Sequence, residues 1–210
     1  MAINDFDSLK AAVSAWMLRT NSDSVVTQAQ IGNYVGLCES ELNRELRIRE
    51  LEDTEAVTTV PAQAWVELPA GFKKIGSLEF DDKPFDMDFL TRRQLKEQYG
   101  GQSGRPRAFT VYGNRIYFGP TPDAAYTMTL DFYTAITALS ESQQTNDILT
   151  NFPDIYLYGA LKHAYFQVKD TENADAVGQN YNAIIDRVKQ ADVESRMPTK
   201  LVMKARNTIG

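Results

Sequence analysis

The pattern of apolar and polar positions predicts two amphipathic helices near the N-terminus. Apolar residues recur there at steps of three and four, which is the spacing of one helical face. They are Phe6, Leu9, Val13, Trp16 and Met17 in a first segment, and Ile31, Val35, Cys38, Leu42 and Leu46 in a second. The opposite face of the second helix is dense in charge, with Glu39, Glu41, Glu45, Glu50 and Glu52 alternating with Arg44, Arg47 and Arg49. Thr27 and Gln30 have the spacing of a capping box and predict where this helix begins.

From about residue 56 the apolar period changes from that of a helix to that of a strand. The clearest strand is "YTMTLDFYT", which places Tyr126, Met128, Leu130 and Phe132 on one face. "FDMDFL" alternates as well, and it predicts a strand with Phe85, Met87 and Phe89 on one face and Asp86 and Asp88 on the other. Gly113–Asn114 between two aromatic-rich runs predicts a hairpin turn. Thr91 and Gln94 predict the start of a short helix, "RRQLKEQY".

Helical patterns return in the C-terminal part of the chain. The segment "NFPDIYLYGALKHAYFQVKD" is apolar or aromatic on nearly every side, which is typical of a helix at the centre of a bundle or at an interface. A last helix carries Ala174, Val177, Tyr181, Ile184, Ile185 and Val188 on one face. The final segment, "MPTKLVMKARNTIG", begins with a helix-stopping proline and contains basic but no acidic residues.

These patterns predict an α+β fold. Residues 1–55 and 140–196 are expected to form an antiparallel helical bundle, discontinuous in sequence. Residues 56–139 are expected to form an inserted lobe, built as a mostly antiparallel sheet or small barrel. Residues 197–210 are expected to form an extended basic tail.

Composition narrows the possible classes of protein. The formal net charge of −6 over 210 residues argues against a dedicated nucleic-acid binder, which normally has a basic face. A single cysteine, Cys38, excludes an internal disulfide, and one cysteine with one histidine, His163, cannot build a zinc cluster. We expect no signal peptide and no membrane span, because no apolar run is long enough, and therefore a soluble intracellular product.

The sequence contains only weak candidates for catalytic or metal-binding groups. Asp81, Asp82, Asp86 and Asp88 match no calcium-loop spacing, and strand alternation explains the last two as a solvated face. "GGQSGRPR" lacks the Gly-Lys-Ser/Thr ending of a phosphate-binding loop. We therefore expect no catalytic residue, no metal and no cofactor. A carboxylate-dependent hydrolase that uses Asp86 or Asp88 is the enzymatic alternative.

Residues 105 to about 190 carry a fairly specific order of motifs. An aromatic hairpin is followed by a G-P-x-P loop, a strand that ends in an aromatic pair, Leu139–Ser140, Thr145–Asn146, and a helix start at Pro153–Asp154 with Tyr158, Gly159, Ala160 and Leu161. This order resembles the head-to-tail adaptor family of tailed bacteriophages, whose members are also called connectors or head-completion proteins. The N-terminal helices fit the family in layout more than in motif.

The resemblance implies a non-enzymatic structural protein of the virion neck, assembled in the host cytoplasm. Such adaptors form a ring, typically of twelve subunits, beneath the portal, where the ring extends the DNA channel and docks the tail. The implied partners are the portal ring, neighbouring copies of the chain, and a tail-nozzle or tail-tube protein, with fibres as a further candidate. The resemblance also implies that double-stranded DNA passes through the channel without specific binding. The alternative within the virion is a tail-tube, nozzle or fibre-docking subunit.

The resemblance also suggests where contacts occur. An extended C-terminal segment often grips the portal in such adaptors, and here that position holds Lys200, Leu201, Val202, Met203, Lys204, Arg206 and Ile209. Candidates for the contact between subunits are Glu41, Arg44, Glu45, Arg47, Arg49, Tyr156, His163 and Gln167. Candidates for docking the tail or fibres are Asp86, Asp88, Arg105 and Arg107.

Overall fold

The computed structural model describes residues 2–20, 26–82 and 87–196. The predicted tail, 197–210, therefore lies outside the described residues. In chain order the elements are α1 (Phe6–Thr20), α2 (Gln28–Glu45), β1 (Glu52–Thr58), β2 (Trp65–Glu67), β3 (Phe72–Phe80), β4 (Asp88–Phe89), α3 (Arg92–Tyr99), β5 (Ala108–Tyr112), β6 (Arg115–Gly119), β7 (Thr127–Thr134), α4 (Asp147–Asn151), α5 (Pro153–Gln167) and α6 (Thr171–Arg196). The fold is α+β, as predicted.

The chain divides into two compact units, a helical unit from Met1–Glu50 and Ile136–Gly210, and a β unit from Leu51–Ala135. The sequence had placed the divisions at 55/56 and 139/140. The shift of the first division has a local cause. The second helix ends at Glu45, because Leu46 is already extended, and Leu46 and Ile48 are both fully buried. A two-residue spacing of buried side chains suits extended chain, so Arg47 and Arg49 do not continue the helix as predicted.

In the helical unit, α5 contacts α1, α2, α4 and α6. This confirms its expected place at the centre of the bundle and explains why apolar groups surround it. The predicted apolar stripe of α2 is buried throughout, and among the apolar residues predicted for the buried face of α1 only Trp16 is substantially exposed. The predicted capping box at the start of α2 is present, with Thr27 and Gln30 each accepting a hydrogen bond from the other's backbone N–H.

The β unit contains two sheets that share one core. The three-stranded sheet has the order β1-β7-β3, and the four-stranded sheet has the order β2-β6-β5-β4. All pairs are antiparallel except β4 with β5. Met128, Leu130 and Phe132 of β7 are buried on one face, as the alternation of that strand predicts. The predicted hairpin joins β5 to β6, and Gly113 adopts the positive φ of 61° that its turn needs.

The strand predicted from "FDMDFL" is shorter than expected. Only Asp88 and Phe89 form β4, and it pairs in parallel with β5. Met87 is buried as expected, but Phe89 remains 60% exposed and meets Phe109 edge to face with ring centroids 5.3 Å apart. Phe85 lies outside the described residues. Within the described part of the chain, no helix is long and apolar enough to cross a membrane.

Candidate interaction surfaces

Three helices of the helical unit meet at a partly exposed ion cluster. Glu41 of α2 accepts a hydrogen bond from Nζ of Lys162 at 2.5 Å, and its other oxygen lies 3.4 Å from Nε2 of His163. The ammonium of Lys162 also lies 4.5 Å from the centre of the Tyr181 ring of α6. Burial lowers the pKa of His163, and neighbouring Lys162 adds to that effect while Glu41 opposes it. The neutral imidazole is therefore favoured, so Lys162 is the main cation of this cluster.

A groove of about 500 Å³ lies between α5 and α6 beside this cluster. Its lining residues are Lys162, His163, Phe166, Ala174, Asp175, Gly178, Gln179 and Asn182. Phe166 is 72% exposed, which is the largest exposed fraction among the large apolar side chains described. A groove with an exposed aromatic group at its side and polar groups along it has the composition of a protein-binding surface.

Arg115 of the four-stranded sheet and Arg92 of α3 form a row of two cations stacked on aromatic rings. The guanidinium carbon of Arg115 lies 3.6 Å from the ring centre of Trp65. That of Arg92 lies 4.2 Å from the ring centre of Tyr112 and 4.8 Å from that of Tyr117. The alternation of β6 explains the row, because Arg115 and Tyr117 point away from the core that buries Ile116 and Phe118.

A small pocket of about 210 Å³ adjoins this row, next to α3. Lys96, Tyr99, Tyr117 and Thr121 are among its lining residues. Exposed Arg–aromatic stacks contribute about 0.5–1 kcal/mol each and hold the cations in fixed positions. The surface can therefore present cations to an acidic partner without first ordering flexible side chains.

The family model described as SU10 adaptor protein matches residues 4–203. The chain belongs to the SU10 adaptor protein family, which is a family of phage head-to-tail adaptors. It is thus a structural adaptor protein of a bacteriophage virion. A comparison with curated proteins finds no match.

The structure assigns several of the adaptor's predicted interface residues to contacts within the subunit. The carboxylate of Glu41 contacts Lys162 and His163 in the ion cluster described above. Nη1 of Arg47 donates to the backbone carbonyls of Asn43 and Leu46. The backbone N–H of Arg49 donates to Asp192 of α6 at 2.9 Å. Arg44, Glu45 and Gln167 are exposed and remain candidates for contact with a neighbouring subunit.

The prediction that Tyr156 faces a neighbouring subunit is wrong. Its side chain is fully buried in its own subunit. Its hydroxyl donates to Oε1 of Glu39 at 3.1 Å and accepts from Nδ2 of Asn146 at 2.7 Å. The surrounding helices leave only part of α5 open to solvent, and that part carries Phe166, which the sequence did not single out.

Sequence reasoning also missed the structural role of Glu39. The prediction placed it on a charged face, but it is only 6% exposed and accepts a hydrogen bond from the backbone N–H of Leu139 at 2.8 Å. Burial raises the pKa of its carboxyl group, against the opposing effect of its two hydrogen bonds. The signal was present in the spacing, since Glu39 follows Val35 by four positions and precedes Leu42 by three, which is within the apolar stripe.

The predicted docking residues of the β unit have different surroundings. Arg105 makes a two-pronged contact with Asp82, with distances of 2.9 and 2.5 Å, and its guanidinium lies 4.1 Å from the centre of the Phe80 ring. Arg107 and Asp88 are exposed and adjacent, because the N–H of Asp88 donates to the carbonyl of Arg107. Asp86 lies outside the described residues.

The residues weighed for metal binding and catalysis are also placed. Asp81 accepts from the hydroxyl of Thr129 at 2.8 Å. Among residues 2–20, 26–82 and 87–196, no three His, Cys, Asp or Glu side chains are arranged to hold a metal ion. Cys38 is buried, and burial raises the pKa of its thiol to about 12, which disfavours the reactive thiolate.

Proposed function

We propose that this adaptor forms a ring beneath the portal, extends the DNA channel, and docks the tail. The observation that carries the proposal is the family match, which spans nearly the whole chain and both units. A ring of twelve subunits is the number that the resemblance implies. The role is assembly and not catalysis, so the functional parts are surfaces.

In the helical unit, we place one contact between neighbouring subunits at the groove between α5 and α6. Phe166 supports this choice, because an aromatic side chain that is 72% exposed gains most when a partner covers it. His163 and Gln167 lie beside it, and Arg44 and Glu45 are open for polar contacts at the rim. In isolation the expected state is a monomer or weak oligomer that assembles on the preformed sites of the portal.

The segment 197–210 is the proposed portal grip. Its support is compositional. Lys200, Lys204 and Arg206 supply cations without any acid, and Leu201, Val202, Met203 and Ile209 supply apolar groups. Such a segment can gain affinity by pairing its cations with acids while its apolar side chains fill grooves on a partner.

In the β unit, Arg107, Arg92 and the half-buried Arg115 are the proposed tail-docking groups, together with Asp86 and Asp88. Their charges are suited to guiding a partner of mixed charge into register. The overall charge of −6 suits a channel that must let DNA pass, because many cationic contacts would add salt-dependent binding.

Sedimentation of the protein alone and with its portal ring tests the proposal. By itself the full chain should sediment as a small particle. With the portal it should co-sediment in the number of copies that a ring requires. Deleting residues 197–210 should abolish binding to the portal, whereas the shortened protein should keep the circular dichroism spectrum of the folded chain. A full chain that does not co-sediment with the portal would contradict the proposed adaptor role.

A second variant tests the helical contact. Phe166→Ser should reduce the number of adaptor copies that each portal retains, because it removes the apolar group at the groove. Phe89→Ser is the matched control, since Phe89 is 60% exposed but belongs to the β unit. Equal loss in both variants would contradict the specific role of the groove.

A further inference from the structure

Two basic side chains on one face of α3 form no ion pair within the described part of the chain. They are Arg92 and Lys96, which lie four positions apart and are both exposed. Arg93, the residue after Arg92, instead pairs with Glu97 at 2.7 Å. The hydrogen-bond donors of Arg92 and Lys96 are therefore available to a second molecule.

The position of Arg92 works against the stability of its own helix. Arg92 is the first residue of α3, and the first turn of this helix contains no acidic residue. Because the helix dipole is positive at this end, a cation there is disfavoured. The rings of Tyr112 and Tyr117 hold the guanidinium in place but supply no carboxylate. A carboxylate from a partner would offset this cost, and conflicts of this kind are concentrated at functional sites.

An apolar pocket opens beside these two cations. A Cβ atom at Gly119 of β6 would lie 2.8 Å from both Cδ1 of Leu95 and Cδ2 of Tyr99, so the glycine lets α3 pack directly on the strand. Leu95 and Tyr99 line the pocket together with Arg92 and Lys96. A ligand that fills the pocket with an apolar group therefore brings its neighbouring groups to the two cations.

The size of the pocket suits one side chain of a peptide. Its volume of about 210 Å³ is below the ~300–1,000 Å³ that is typical of pockets for cofactors and drug-sized molecules. Among the described residues that line it, none is Asp or Glu. A matching ligand combines one small apolar group with adjacent negative charge. That is the chemistry of an acidic peptide with an apolar residue beside Asp or Glu.

Nucleic acid fits this surface less well than an acidic peptide does. Single strands bind largely by stacking their bases on exposed aromatic faces. Here guanidinium groups cover such faces, because Arg115 lies 3.6 Å from the centre of the Trp65 ring and Arg92 lies over two tyrosine rings. Glu67 lies directly opposite Arg115 and adds negative charge to the same face. The peptide is therefore the better match.

We propose that the pocket at α3 binds an acidic segment of the tail protein, with a carboxylate on Arg92 and Lys96 and an adjacent apolar side chain in the pocket. This inference rests on the tail docking proposed above and names the chemistry of the segment that docks. The stacked guanidinium of Arg92 is already ordered, so binding loses less side-chain entropy than it would with a mobile arginine. The two cations select an acidic segment, and the pocket selects which residue of that segment docks.

Zero-length coupling with a carbodiimide tests this contact in the full chain, assembled on the portal and bound to the tail protein. The reagent joins an amine directly to a carboxylate that touches it, with the loss of water. We expect an amide between Nζ of Lys96 and a carboxylate of the tail protein, identified by peptide mass spectrometry and formed only when the tail protein is present. Lys96→Arg keeps the charge but removes the amine, so this variant should bind the tail protein and lose the product.

Charge reversal measures how much the two cations contribute. Arg92→Glu with Lys96→Glu should weaken binding of the tail protein by more than about tenfold, because the partner's carboxylates then meet like charge. The variant should still fold and bind the portal, since glutamate is favoured at the start of a helix. Lys73→Glu with Lys74→Glu is the matched control, because it makes the same charge change at exposed positions of β3, and it should leave tail binding unchanged. Equal losses in both variants would overturn the specific role of the pocket.

Three other results would overturn the proposal. Coupling of Lys96 to a second adaptor copy would assign the pocket to a contact between subunits. Tail-bound complexes without any product at Lys96 would refute this contact while leaving tail docking intact. A charge reversal that abolishes binding of single-stranded DNA but not of the tail protein would assign the surface to nucleic acid. If the tail protein does not bind the assembled adaptor, the proposed docking role fails together with this contact.

Discussion

Gly159 of α5 gives the sharpest test of how the helical unit packs. A Cβ atom at this position would lie 2.3 Å from Sγ of Cys38, 3.2 Å from Cβ of Cys38, and 3.0 Å from Cε2 of Tyr181. These atoms belong to α2 and α6, so the missing side chain lets both helices approach α5 closely. Gly159→Ala should therefore force the three helices apart.

Two effects of opposite sign set the expected magnitude. Alanine is favoured over glycine inside a helix by about 1 kcal/mol. Adding a methyl group to a well-packed core costs about 1–3 kcal/mol, and all three contacts at Gly159 are tighter than ordinary van der Waals distances. We expect the steric cost to exceed the propensity gain, with a net loss of up to ~2 kcal/mol in the free energy of unfolding.

Urea unfolding followed by tryptophan fluorescence measures this loss in the helical unit alone. The chain has two tryptophans, and Trp16 lies in α1 while Trp65 lies in the β unit. In a Trp65→Phe background the signal comes from Trp16, whose ring centre is 5.9 Å from that of Tyr158, next to Gly159. The midpoint should fall while the slope with urea stays unchanged.

Two further variants separate packing from helix propensity. Gly36→Ala in α2 is the matched control, because beyond its chain neighbours and the backbone of its own helix no atom lies within 4 Å of its Cβ position, and it should stabilise the unit by about 0.5–1 kcal/mol. Adding Cys38→Ala to Gly159→Ala removes the closest atom, so the double variant should be more stable than the sum of the single effects predicts. A Gly159→Ala protein as stable as its parent would refute the close approach of α5 to α2 and α6.

Two other changes test the buried carboxylate and a helix cap. Glu39→Gln keeps the acceptor for the Leu139 N–H and the Tyr156 hydroxyl. Since the folded-state pKa of Glu39 is raised, its contribution to stability is present below the ordinary carboxyl pKa and is lost as pH rises through the folded value. The variant should thus have a higher unfolding midpoint than the parent near neutral pH but not in acid, and equal midpoints at both would contradict this reasoning. Thr91→Ala removes the acceptor for the Gln94 N–H and should cost the β unit about 1 kcal/mol, measured by Trp65 fluorescence, whereas Thr91→Ser should cost much less.

Element types were predictable from the sequence because they depend on local properties. Periodicity gave the helices and most strands, and paired Thr and Gln residues marked where α2 and α3 begin. The turn at Gly113–Asn114 depends on the positive φ that Gly113 adopts, which is a property of that residue itself. The order of motifs after residue 105 indicated the adaptor family, which the match over residues 4–203 shows.

Side-chain burial within an element depended on its neighbours. The α5 segment is apolar on nearly every side, so its sequence could not show that Tyr156 is enclosed while Phe166 is open. Glu39 was treated as a solvated charge, yet the chain around Leu139, 100 residues away, supplies the hydrogen bond that makes its burial possible.

Strand pairing was likewise decided only by the tertiary structure. The pairing of Glu52–Thr58 with Thr127–Thr134 joins distant parts of the chain, and neither segment specifies the other. The sequence by itself determined helices, strands, caps and family, because these follow from neighbouring residues and motif order. The structure alone decided which strands pair and which side chains are buried, because those properties arise only when distant segments pack together.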